Sequence, residues 1–213
     1  MSLGSLRVVC LHAGAWLLFA ATGFAQNWEV SPVFSFERLS RKGLGTLSSN
    51  NPQNTDIKFH DGYGVGARIG WNPWNYYGME IGYTMDRPKI TGKFTPDTGA
   101  PVTREQKVQV HQGTFTMLAY MMPKLERWRP YLLGGGQMFV YKKPKWPEYQ
   151  DAGTRNFGGH FGVGIKLKIV NHVNMRFEVR DYIGGKPYKF DLKDDTSGRL
   201  HQLEGTVGFG ITF

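Results

Sequence analysis

Residues 200–213 read Leu200-His201-Gln202-Leu203-Glu204-Gly205-Thr206-Val207-Gly208-Phe209-Gly210-Ile211-Thr212-Phe213. From Leu203 onward every second residue is apolar or small: Leu203, Gly205, Val207, Phe209, Ile211, Phe213. Between them stand Gln202, Glu204, Thr206, Gly208, Gly210 and Thr212. A period of two places the two sets on opposite faces of a strand. One face suits an apolar solvent; the other is polar or empty. A half-buried strand of a soluble sandwich alternates in the same way, so the rest of the chain must decide which solvent is meant.

The other end of the chain supplies the second observation. Arg7 precedes an apolar stretch from Val8 to about Ala21, and Gly23-Phe24-Ala25 has the small-x-small form of a cleavage site. This predicts a secretory signal peptide over residues 1–25 and a mature domain over 26–213. Cys10 lies at the start of the apolar stretch with no lipobox before it, which argues against a lipoprotein. Removing the leader takes away Arg7 and the one cysteine, so the net charge falls from +9 to +8 and no disulfide is possible. An exported chain of this size without disulfides must draw stability from its architecture or its solvent. Mean hydropathy is −0.38, and no run of about eighteen apolar residues follows the leader, which excludes a helical membrane protein. A barrel passes that filter because only alternate residues need be apolar.

Seven further alternating stretches precede the last one. Asn27 to Arg38 sets Trp28, Val30, Phe34 and Phe36 against Glu29, Ser31, Ser35 and Glu37, and Pro32 removes one ladder hydrogen bond. Asp61–Trp71 and Tyr76–Arg87 form a hairpin about Asn72-Pro73-Trp74-Asn75. Gln106 to Met121 turns Phe115, Met117, Ala119 and Met121 to one face, but Val108 and Val110 fall in the opposite phase. Pro130 to Tyr141 carries Gly134-Gly135-Gly136, which leaves its register open. Arg155 to Lys168 is the plainest alternation, and Met175 to Ile183 precedes the final strand. The connections run long, short, long, short, long, short, long, with Leu39–His60, Pro88–Glu105, Lys142–Thr154 and Gly184–Gly198 read as polar loops. The predicted fold is therefore all-β, an eight-stranded antiparallel up-and-down transmembrane barrel with both chain ends on the short-turn side.

The closing strand with its terminal Phe213 resembles that of small bacterial outer-membrane barrels of the OmpA/OmpX type. The phrases Arg129-Pro130-Tyr131-Leu132 with Gly134 to Gly136, and Arg176-Phe177-Glu178-Val179-Arg180-Asp181-Tyr182, look like segments common in those domains. The resemblance implies the outer membrane as location and a barrel-assembly machinery that reads Phe209, Ile211 and Phe213. It also implies long loops facing outward and short turns facing the periplasm. A soluble exported β-protein is the competing reading, and carbonate-resistant partition into the outer-membrane fraction separates the two.

Eight strands close at a diameter that side chains fill. The alternation turns Glu29, Glu37, Arg68, Glu80, Asp86, Lys166, Lys168, Arg176, Glu178, Arg180 and Glu204 inward. On the lipid face each Arg or Lys would cost about 2–4 kcal/mol at the midplane. Arg68, Glu80, Lys166, Arg176, Glu178, Arg180 and Glu204 are the candidate lumen network, with Arg68–Glu80 and Arg180–Glu204 as its expected pairs. The network is either a structural plug or the gate of a narrow, porin-like channel for ions or small solutes. Inward glycines at 62–70 and 158–164 would leave room for long side chains.

Counted with their flanking residues, as Leu39–His60, Pro88–Lys107, Lys142–Arg155 and Gly184–Arg199, the four long connections hold fifteen Lys/Arg against eight Asp/Glu, a net of +7. A basic outer rim suits lipopolysaccharide phosphates, and Trp146 beside Lys142, Lys143 and Lys145 could anchor at the interface. Trp28, Trp71, Trp74 and Trp128 fall near the opposite ends of their strands, as interface anchors do.

Catalytic readings find little support. Lipid A deacylases of similar architecture carry a His-x-Ser-Asn phrase on a late strand; here the comparable stretch is Arg180-Asp181-Tyr182, and no His-x-Ser occurs. Barrel proteases need more strands, and Asp194-Asp195 with His201 imitates their acidic rim only weakly. His60, His111, His160, His172 and His201 lack metal-ligand spacing, and no phosphate-cradling or dinucleotide motif is present. The pI of 9.6 could suggest nucleic acid, but the leader argues otherwise. The expectation is a non-enzymatic envelope barrel, without cofactor or metal, in contact with outer-membrane lipid and lipopolysaccharide, its oligomeric state left open by the sequence with a monomer as the simplest form. Its role would be structural or would lie in surface contact through basic loops.

Overall fold

Alternation along each stretch is realised as a sheet that closes on itself. The computed structural model describes residues 27–39, 56–94, 100, 102–145, 154–185 and 200–213. The leader, Trp146 and Asp194-Asp195 lie outside them.

Eight strands make the wall: β1 (Trp28–Leu39), β3 (Gly62–Trp71), β4 (Tyr77–Asp86), β7 (Val110–Tyr120), β8 (Trp128–Tyr141), β9 (Arg155–Val170), β10 (Val173–Gly184) and β11 (Leu200–Thr212). Each pairs antiparallel with its neighbours in the order β1-β11-β10-β9-β8-β7-β4-β3, and β3 returns to β1. The first and last strands seal the cylinder, with Val30 opposite Ile211 and Glu37 opposite Glu204. Phe213 N–H donates to the Trp28 carbonyl at 2.9 Å, so both described chain ends meet at the rim of the short turns. Closure removes the free edges that an open sheet would expose.

The faces are inverted relative to a water-soluble protein. Phe34, Ile81, Phe157 and Val163 are more than half exposed on the outside, while Arg68, Glu80, Arg180 and Glu204 are no more than 2 % exposed inside. Among the described side chains of the barrel strands, the outward charges are Arg155 and Asp181, both towards the long-loop rim. Soluble monomers rarely expose a continuous apolar surface of this extent. The belt is built for hydrocarbon, and the polar interior is what the wall hides from it.

The two strands whose facing was open are now defined. In β7, Phe115 and Met117 point outward and Gln112, Thr114, Thr116 and Leu118 inward; in β8, Gly134 opposes Met117 and Gly136 opposes Phe115. Val110 keeps the inward phase of β7 and is buried in the upper lumen, and the predicted strand from Gln106 to Met121 is really two strands, interrupted at Val108 and Gln109, with Val108 buried at the break.

Pro88–Glu105 is not wholly loop. β5 (Lys89–Phe94) and β6 (Val102–Lys107) pair with β2 (Asp56–Phe59), itself inside the stretch read as the first loop, in the order β2-β5-β6. That order mirrors β3-β4-β7. Each small strand is joined to its barrel neighbour across a break, and Val108 N–H donates to the Pro88 carbonyl at 3.0 Å where β6 becomes β7. The three wall strands thus continue beyond the rim as a finger. Its residues have no lipid to face, so they lack the apolar alternation that marks the wall. Pro88, with no N–H to give, suits the break. Lys89 and Glu105 form an exposed ion pair across the finger.

Candidate functional site

The lumen is filled, and its contents fall into levels. Nearest the short turns, Lys166 Nζ donates to Glu29 Oε2 at 2.8 Å and Ser31 Oγ donates to Glu29 Oε1 at 2.9 Å. Tyr120 Oη donates to Asn72 Oδ1 at 2.8 Å, and the Arg129 guanidinium lies 3.8 Å above the Tyr120 ring centre. Below this level a mouth of about 270 Å³ is lined by Lys124, Arg129, Lys168 and Asn174, among others. Lys124, in the turn, donates to Asn27 Oδ1 at 2.6 Å. Partial burial, with Arg129 nearby, holds its ammonium below the usual lysine range.

The middle level is a lattice of three guanidinium groups and two carboxylates. Glu80 receives Arg176 Nη1 at 2.7 Å and Arg180 Nη2 at 3.0 Å, and Arg68 Nε lies 3.8 Å from it. Glu178 receives Arg68, Arg176 and Arg180, the last at 3.0 Å. Tyr131 Oη donates to Glu178 Oε1 at 2.5 Å. None of the five charged side chains is more than 2 % exposed. In so low a dielectric each charge survives only because another faces it.

The upper level lies towards the long loops. Glu204 Oε1 accepts from Arg68 Nη2 at 3.3 Å, Tyr182 Oη at 3.2 Å and Thr206 Oγ1 at 2.8 Å. Asp86 Oδ1 accepts from Ser35 Oγ at 2.9 Å, and Glu37 Oε1 from Gln202 Nε2 at 2.5 Å. Above them Val110, Phe139 and Tyr141 are buried on the inner face.

All seven residues predicted for the network therefore project into the lumen, although Lys166 belongs to the level of Glu29. Arg68 and Glu80 do meet. Arg180 and Glu204 are opposite in the β10/β11 register, yet the Arg180 guanidinium turns to Glu80 and Glu178 and Glu204 takes Arg68. Neighbours on a face are not necessarily partners when long side chains can reach across the lumen. Sequence reading missed the tyrosines: Tyr120, Tyr131 and Tyr182 are inward by parity, but nothing in the chain shows that the hydroxyls of Tyr131 and Tyr182 serve carboxylates and that of Tyr120 serves Asn72. Inward glycines make the room expected of them at named places. A Cβ at Gly164 would stand 2.5 Å from Tyr131 Cζ, and one at Gly64 1.7 Å from Asp86 Oδ1.

Phe209 and Ile211 lie on the outer face of β11 and Phe213 ends the chain beyond it, all near half exposed. His160 is buried and bonded to Thr116 at 3.0 Å. His201 pairs with Asp181 at 3.2 Å on the outer surface, and its supposed acidic partners lie outside the described residues. Trp28, Trp71 and Trp74 cluster at the short-turn rim, with ring centres 6.3 and 5.5 Å apart along the series.

The closed wall, apolar outside and charged within, defines the class: an eight-stranded β-barrel of the outer-membrane type. Solved structures agree on the fold. The chain is similar to the outer membrane protein OprG of Pseudomonas aeruginosa, at 10% identity over 89% of this chain and 96% of that one, with a TM-score of 0.63. It is also similar to the N-terminal β-barrel domain of OprF from the same organism, at 12% identity over 88% and 98%, with a TM-score of 0.50. No family model matches the sequence, and no curated protein matches it.

Proposed function

We propose that this protein is exported by a leader over residues 1–25 to the bacterial outer membrane and acts there as a non-catalytic barrel. In this reading the wall is a rigid mount and the working surface is the set of basic loops at its outer end. The observation that carries the reading is the middle level of the lumen, where Arg68, Arg176 and Arg180 interlock with Glu80 and Glu178 from three strands. A solute path would have to break several buried charge pairs at once, which leaves the exterior as the place for function. The net +7 of the long connections favours an anionic counterpart, and lipopolysaccharide phosphates supply one at the outer leaflet.

Two measurements test this. Refolded protein in planar bilayers should give no channel events above background; stable conductance would instead support a small porin. Refolded protein should bind lipopolysaccharide micelles more tightly than dephosphorylated ones, and the difference should shrink with salt. Equal binding to both would remove the loop part of the reading.

A further inference from the structure

Among the fully buried charges of the lumen, four cations face four carboxylates and two carboxylates are left over. Lys166 faces Glu29, and the three guanidinium groups face Glu80, Glu178 and Glu204. Two carboxylates remain, Glu37 and Asp86, and among the described residues no ion pair reaches either. They sit beside Glu204 in the upper lumen, and one oxygen from each of the three lies within 4.8 Å of the others. All three side chains are buried, at 1 % exposure or less.

The sheet register assembles this cluster. Glu37 and Glu204 are directly opposite on β1 and β11, and Ser35, Gly64 and Asp86 form one row across β1, β3 and β4. Because Gly64 has no side chain, the Asp86 carboxyl lies across it and meets Ser35 from two strands away. Asp86 Oδ2 and Glu204 Oε2 have no hydrogen-bond partner. Outside the acidic group, Gln112 is a second signal. It points into the lumen from β7 as a diagonal neighbour of Asp86 and is 1 % exposed; its amide N–H faces the Tyr182 hydroxyl, and its Oε1 has no donor. Of the nine buried side-chain polar atoms without a hydrogen-bond partner among the described residues, four belong to Asp86, Glu204 and Gln112, and such atoms call for an ion, a water or strain to explain them.

We propose that Glu37, Asp86 and Glu204 hold a divalent cation of calcium size in the upper lumen, with Gln112 offering a neutral oxygen from the neighbouring strand. The donors are hard oxygens, without nitrogen or sulfur, and oxygens on one calcium ion, each about 2.3–2.6 Å from it, fit within such a cluster. The surplus of two negative charges equals the charge of one such ion. The site is separate from the basic loops and does not depend on their role. The competing neutraliser is a proton, since Glu37 and Asp86 are close enough to share one.

The test uses the full barrel refolded in detergent, with heat-modifiable gel mobility as the check of folding. Terbium(III) is the probe, because the Tyr182 hydroxyl lies 3.2 Å from Glu204 Oε1 and can sensitise its luminescence. The expected result is saturable emission at one equivalent, displaced by calcium. Affinity should be lowered about tenfold or more in Asp86→Asn and Glu37→Gln and unchanged in the surface control Asp181→Asn. Absence of saturable emission from the wild type overturns the proposal even if neither lumen variant folds. Emission that persists unchanged in the folded lumen variants overturns it as well. So does a wild type whose thermal stability is the same in calcium and in chelator, which is the outcome expected of a shared proton.

Discussion

Tyr131 and Gly164 occupy one volume between them: the tyrosine ring lies where a side chain at 164 would stand, and its hydroxyl reaches Glu178 at 2.5 Å. The pair faces across β8 and β9, where Tyr131 is directly opposite Gly164. A bulky residue and an absent one thus let a hydroxyl from the wall reach the central lattice.

Gly164→Ala should therefore act as overpacking in a filled lumen. A methyl group 2.5 Å from Tyr131 Cζ must displace the ring, at a cost of about 1–3 kcal/mol, and should weaken the hydroxyl contact to Glu178. Urea-dependent refolding into vesicles should show the loss. A neutral result would mean that the ring has space to retreat.

Removing one carboxylate from the lattice should cost much more than removing one from the surface. Glu178→Gln leaves three buried guanidinium groups short of a partner and should destabilise by about 3–5 kcal/mol. Glu105→Gln on the finger breaks the exposed bridge to Lys89 and should change stability by no more than about 1 kcal/mol. Unfolding midpoints of the two variants, measured side by side, should be far apart.

The sense of the wall can be tested by placing a charge on it. Ile81 is 64 % exposed at the middle of β4, so a water-soluble protein would accept arginine there. In a membrane wall Ile81→Arg should cost about 2–4 kcal/mol. Refolding free energy into phospholipid vesicles would reveal the penalty; a cost near zero would count against the lipid-facing belt.

Phe213 separates assembly from stability. It is half exposed, and its backbone N–H donates to Trp28 at the seam. Deleting it should leave refolding into detergent nearly unchanged while lowering the amount of barrel assembled in cells. Equal losses in both assays would make the residue structural and not a signal.

The sequence alone determined the number of wall strands, the alternation of long and short connections between them, and which face of nearly every wall strand meets lipid. It could do so because hydrocarbon imposes a rule on each strand by itself: a charge in the outer phase is costly wherever its neighbours lie. Arg68, Glu80, Lys166, Arg176, Glu178, Arg180 and Glu204 were readable as inward for the same local reason. Partnership was not readable. Arg180 leaves its cross-strand neighbour Glu204 for Glu80 and Glu178, and Glu37 and Asp86 converge from strands separated by Gly64. These choices depend on closure and stagger, which bring distant rows to one level of the lumen. The finger of β2, β5 and β6 stayed hidden for the opposite reason: beyond the rim no apolar solvent marks one face, so its strands alternate too weakly to be seen until they pair.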